Sequence, residues 1–112
     1  MKIEKQKNQQ GIEIFHVSGR LDPVTSNQLE EELNQSISSG STKLVLDLSQ
    51  VEFISSSGLR VFLSGLKKVK AQSGDLKICG MNSNVEKIFK IAGFVSLFDI
   101  HTTEAEAIQK FS

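Results

Sequence analysis

Tryptophan and tyrosine are absent, and cysteine and proline occur once each in 112 residues. The single thiol, Cys79, has no partner for an internal disulfide and cannot by itself assemble a thiolate metal site, which suits a reducing compartment. No sign of charge dominates: 13 Lys plus Arg are matched by 13 Asp plus Glu, so no net field draws the chain onto nucleic acid or an anionic membrane. No apolar run approaches the length needed to cross a bilayer, and the opening MKIEKQKNQQ lacks the apolar core of a secretory signal. A cytoplasmic protein is expected, with neither direct nucleic-acid binding nor membrane insertion. His16 and His101 are too few and too isolated to suggest a metal site. Cys79 falls within an expected strand and reads as a small packing residue rather than a reactive thiol. No cofactor is implied.

What remains is enough for one compact domain over residues 1–112. Apolar residues make up 38% of the chain and include seven Phe, which can fill a small core without Trp or Tyr. Met1 to Lys7 and Gly11 to Gly19 alternate around the polar turn Asn8-Gln9-Gln10-Gly11, which predicts a hairpin. Asp22-Pro23 is a helix start. Leu29, Leu33 and Ile37 then recur every fourth residue to Ser38-Ser39-Gly40. Lys43 to Leu48 is short and almost continuously apolar, as in a central strand covered on both faces. Val51 to Ile54 leads into Ser55-Ser56-Ser57-Gly58, and Leu59, Phe62, Leu63, Leu66 and Val69 follow at helical spacing.

Asp75 to Gly80 reads as a strand, Asn82 to Ala92 as a helix stopped by Gly93, and Phe94 to Ile100 as a last short strand. Thr103 to Phe111 predicts a closing helix with Ala105, Ile108 and Phe111 inward and a Thr103/Glu106 capping box. The expected fold class is α/β: a mixed sheet with an N-terminal antiparallel hairpin, then parallel βαβ units, and about four helices.

The chemically informative stretch runs from Leu46 to Arg60, where three hydroxyls stand between a buried strand and a helix. The first N–H groups of a helix are unpaired and the macrodipole adds partial positive charge, so a phosphate on Ser56 or Ser57 is well accommodated. A serine run at such a place also serves as a plain helix cap, with Gly58 permitting close packing.

Four elements, in order and spacing, resemble the STAS domain family, specifically the bacterial anti-sigma factor antagonists (anti-anti-sigma factors). They are Gly19-Arg-Leu-Asp22; Leu44-Val-Leu-Asp-Leu48; Phe53-Ile-Ser-Ser-Ser-Gly-Leu59; and Phe98 with Thr102-Thr103-Glu104-Ala105 and Ala107. The resemblance covers the whole chain. It implies phosphorylation of the serine second before the loop glycine, here Ser56, with Ser57 and Ser55 as neighbouring hydroxyls. Ser55 stands where many members have aspartate.

The resemblance also implies that the unphosphorylated form binds an anti-sigma factor that is itself a serine kinase, releasing a sigma factor for transcription. Phosphorylation ends this binding and a separate serine phosphatase restores it, the mode of control called partner switching. Asp22, Ser55, Ser57, Gly58, Arg60, Val61 and Ser64 are the expected contact residues. Asp22 is equally readable as a structural cap, and the outward face of the second helix, including Lys67 and Lys68, as an ordinary solvated face. The oligomeric state is not legible.

Three other readings are weighed against this one. A serine hydrolase needs a base near Ser56, and His16 would have to supply it. A receiver-type phosphoacceptor at Asp47 needs further carboxylates for a metal. A non-enzymatic STAS scaffold, nucleotide-sensing module or transport-regulatory subunit keeps the fold and changes the task, although no Walker-type glycine loop is visible.

Overall fold

The computed structural model describes residues 2–111; Met1, where the first expected strand begins, and Ser112, the end of the expected domain, lie outside the described residues. The elements are β1 (Lys2–Lys7), β2 (Glu13–Leu21), α1 (Pro23–Ser38), β3 (Lys43–Ile54), α2 (Ser56–Lys70), β4 (Asp75–Cys79), α3 (Ser83–Ile91), β5 (Asp99–His101) and α4 (Glu104–Gln109). The strands form one sheet in chain order. β1 is antiparallel to β2, and β2 to β5 are mutually parallel, so the α/β architecture with a mixed sheet is as expected. Asn8 closes the hairpin turn: its Oδ1 accepts the N–H groups of Gln10 and Ile12, each at 2.9 Å.

Strand alternation divides the apolar residues between two faces. Phe15, Leu44, Leu46, Leu76 and Ile78 meet Leu29 and Leu33 of α1, Phe62 and Leu66 of α2, and Val85 and Phe89 of α3. Ile14, Val45 and Cys79 point to the opposite face, which Ala107, Ile108 and Phe111 cover. Leu44, Val45 and Leu46 are therefore all fully buried, which is why the run they form has no polar alternation.

Four details depart from the sequence expectations. First, β2 continues past Gly19 to Leu21, and β3 runs unbroken for 12 residues to Ile54. Irregularities between His16 and Ser18 and between Gly19 and Arg20 keep the two strands paired through the polar Ser49-Gln50 stretch. Second, the last strand is only Asp99–His101. Phe94 and Phe98 instead pack on Phe89, with ring centroids 6.2 and 6.0 Å away, so aromatic burial prevails over strand pairing.

Third, Ala105 is exposed; the face of α4 turned toward the sheet carries Glu104, Ala107 and Ile108, and Phe111 beyond the helix end continues it. Fourth, Thr103 Oγ1 accepts the Glu106 N–H and donates to the Glu106 carboxylate, so the cap forms through side chains rather than as the expected reciprocal box. Among the described residues no helix is long and apolar enough to cross a membrane.

Candidate functional site

Because β2 and β3 are adjacent and parallel, with Leu21 opposite Ile54, both strands deliver the chain to the same end of the sheet, at their C-termini. Each passes directly into a helix there. The Ser55 N–H donates to the Leu21 carbonyl at 2.8 Å and ties the two turns together. The N-termini of α1 and α2 thus stand side by side, the first capped by the Asp22 carboxylate and the second by Ser55 Oγ, with the positive ends of both helix dipoles at this place.

Asp22 caps α1: its Oδ1 accepts the Thr25 N–H at 2.9 Å, and Thr25 Oγ1 accepts the Asp22 N–H at 2.9 Å. These hydrogen bonds hold the Asp22 carboxyl below its usual range, with the Thr25 backbone bond the largest cause. The structural reading of Asp22 therefore holds, and its partly exposed position leaves it at the rim of the site. Arg20 lies just before it, with its guanidinium 4.8 Å from the centre of the Phe53 ring.

The three loop serines are distributed by the helix itself. Ser55 is the cap, with Oγ accepting the Gly58 N–H at 3.3 Å. Ser56 is the first helical residue and is exposed, whereas Ser57 is half-buried. Gly58 is buried, and a Cβ there would stand 3.0 Å from Ile54 Cγ2 and 3.2 Å from Leu21 Cβ, so its expected place on a contact surface is corrected. It lets α2 approach the strand ends closely enough to present Ser56. Val61 is also buried, at 6% exposure, and is likewise corrected. It lies on the side of α2 that carries Gly58 and Gly65, where Ser26 and Leu33 of α1 come close, so packing between the helices covers it.

Arg60 is exposed and Ser64 partly so; with Leu63, Lys67 and Lys68 they line a shallow basic groove along the outer face of α2. Val24, at 71% exposure, adds an apolar residue at the start of α1. It stands off the Leu29, Leu33 and Ile37 stripe, and that displacement is the sequence signal by which it could have been found.

His16 faces the other side of the sheet. Its Nε2 lies 2.5 Å from Glu104 Oε1 and 3.9 Å from Asp47 Oδ2. Asp47 is opposite His16 in register and seven residues before the end of β3, which places His16 roughly 20 Å from Ser56 along the strand. A nucleophile and base so separated cannot exchange a proton. Asp47 sits within a longer strand, not near its end, and Ser49 N–H binds its Oδ1 at 3.0 Å. Cys79 is fully buried, and burial first, then the charges of Asp47 and Glu104, push its thiol up to about 12. A thiol held protonated in this way is no nucleophile at neutral pH.

Residues 3–107 match the STAS domain. The protein BtrV of Bordetella bronchiseptica is 34% identical over 101 residues, covering 90% of this chain and 87% of that one. An anti-sigma F factor antagonist of Paenibacillus polymyxa is 27% identical, covering 91% and 88% respectively. Among solved structures, the anti-sigma factor antagonist SpoIIAA in its unphosphorylated form superposes with a TM-score of 0.86 at 21% identity, over 98% of this chain and 96% of that one. With the family match extending from β1 into α4 and the same fold in its solved relatives, this chain belongs to the STAS domain family.

Proposed function

We propose that this chain is a non-enzymatic anti-sigma factor antagonist of the cytoplasm, working by partner switching at Ser56. Unmodified, it binds an anti-sigma factor with serine-kinase activity and so frees a sigma factor. Phosphorylation of Ser56 ends the binding, and a serine phosphatase restores it. The carrying observation is the position of Ser56: the exposed first residue of α2, at the end of the sheet where two helix N-termini meet, one turn before Arg60 and the basic groove. Relatives named as anti-sigma F and anti-sigma-B factor antagonists support the antagonist part of this reading.

The physics follows from charge. A phosphate adds about −1.5 to −2 charges and is welcome at a helix N-terminus in water. Beneath a docked protein it is a buried charge that costs several kcal/mol, and it competes for Arg60, one turn along the same helix. Every ~1.4 kcal/mol is a tenfold loss of affinity, so one modification separates binding from its absence.

Incubation with ATP and the cognate anti-sigma kinase, followed by mass-spectrometric mapping, is expected to place phosphate on Ser56 and to lose it in Ser56→Ala. Label that survives unchanged in this variant would refute the site. Calorimetry with the same partner is expected to show binding to the unmodified chain and weaker binding by Ser56→Asp. Equal affinities would refute the switch.

A further inference from the structure

The face of the sheet opposite α1, α2 and α3 carries a group of side chains that partner switching at Ser56 leaves without a task. α4 is six residues long and covers only part of this face, so the sheet emerges at its rim with polar residues. There His16 of β2, Asp47 of β3 and Glu104 of α4 converge, each offering one donor atom, all within 4.8 Å of one another. Glu104 comes from 88 residues beyond His16, and the inward face of α4 directs it there.

We propose that His16, Asp47 and Glu104 bind a divalent first-row transition ion of the zinc type, clamping α4 to the sheet. One imidazole with two carboxylates suits zinc, cobalt or nickel better than magnesium or calcium, which favour oxygen alone. Ligands about 2.0–2.2 Å from a tetrahedral zinc stand roughly 3.3 Å from each other. The present separations from His16 Nε2, 2.5 Å to Glu104 in a direct hydrogen bond and 3.9 Å to Asp47, bracket that value, and all three donor atoms lie within 4.8 Å of one another, so an ion enters by replacing the His16–Glu104 bond with small side-chain shifts.

The Ser49 N–H engages Asp47 Oδ1, leaving Oδ2 turned to His16, the kind of outer hydrogen bond that fixes a metal-binding carboxylate. A cleft lined by Glu4, Ser18, Ser49 and Gln50 opens on His16 and Asp47, leaving room for water or a further ligand at the remaining coordination position. Glu4, paired with Lys2 at 3.5 Å, stands with Asp47 as the second carboxylate of this opening.

The test uses the full chain, freed of any purification tag and stripped with chelator. Calorimetric titration with zinc and with cobalt is expected to give one equivalent bound, a visible cobalt d–d spectrum, and a higher melting temperature with zinc than with magnesium. His16→Gln and Glu104→Gln are each expected to weaken binding by at least about tenfold, since even outer-shell partners are worth that much. His101→Gln, which alters the other histidine, is expected to bind as the parent does. Asp47→Asn, nearly identical in size, replaces His16→Gln if circular dichroism shows that variant unfolded. The proposal is overturned by absence of uptake at sub-millimolar metal, by undiminished affinity in the folded His16 or Asp47 variant, or by loss of binding in His101→Gln alone.

Discussion

Ser55, Ser56 and Ser57 are chemically identical neighbours, yet the start of α2 assigns them different surroundings. Ser55 is turned back to cap the Gly58 N–H, and of the three only Ser56 is exposed, the other two being half-buried. Ser55→Ala is therefore expected to cost about 1 kcal/mol by urea unfolding, the usual loss for a removed cap, while phosphate still maps to Ser56. Gly58→Ala tests the close approach beneath it. Helix propensity favours alanine by about 1 kcal/mol, but overpacking costs about 1–3 kcal/mol. The nearest atoms, Ile54 Cγ2 and Leu21 Cβ, sit close to the backbone and have little freedom to move, so the clash prevails. A net loss of roughly 1 kcal/mol or more is expected from the same measurement.

The elements that hold the site are two strand-to-helix turns, and their counterpart at the other side of the sheet is the charged row linking β4 to β5. Lys77 is buried and donates to Asp99 at 2.8 Å and to Asp75 at 3.0 Å. Burial lowers the Lys77 pKa, but the hydrogen bonds it donates to Asp99 and Asp75 outweigh it and leave the ammonium above its ordinary range. Burial raises Asp99, yet hydrogen bonds from Lys77 and His101 prevail and lower it; Asp22 is lowered by its cap bonds.

A lowered carboxylate contributes stability above its unfolded pKa and loses it as pH falls through the folded value; a raised lysine contributes below its unfolded pKa and loses it as pH rises through the folded value. These three groups together are expected to leave stability level near neutrality, with losses below about pH 4 and above about pH 10.5, read from urea midpoints across pH. Lys77→Met is expected to remove the alkaline loss and reduce the acid one, because Asp99 then has less reason to stay ionised.

At the scale of the whole molecule, the core and the switch are separable. Phe89 is fully buried and meets Phe62, Phe94 and Phe98, so Phe89→Ala is expected to cost about 3–5 kcal/mol, a large share of the 5–15 kcal/mol typical of a domain. Ser56→Asp, at an exposed helix start, is expected to leave the melting temperature near that of the parent. A neutral molecule also reports its own modification: formal net charge is zero, so one phosphate of about −1.5 to −2 charges is expected to shift the isoelectric point visibly to acid. The shift is expected to vanish in Ser56→Ala.

The strand and helix order, the two-sided burial of Leu44 to Leu46 and the helix start at Ser55 to Gly58 were legible in the chain, because hydrophobic period and cap chemistry are settled among near neighbours. The burial of Val61 and Gly58 was not, since it depends on α1 lying against α2. Nor was the meeting of His16 with Glu104: α4 reaches His16 only after β3, β4 and β5 have stacked between them in chain order. Local pattern decided the order of the elements and placed a serine run at a helix start; tertiary packing decided where β2, β3 and β5 end, which side chains are covered and which distant ones meet, because those outcomes depend on neighbours that the chain does not place side by side.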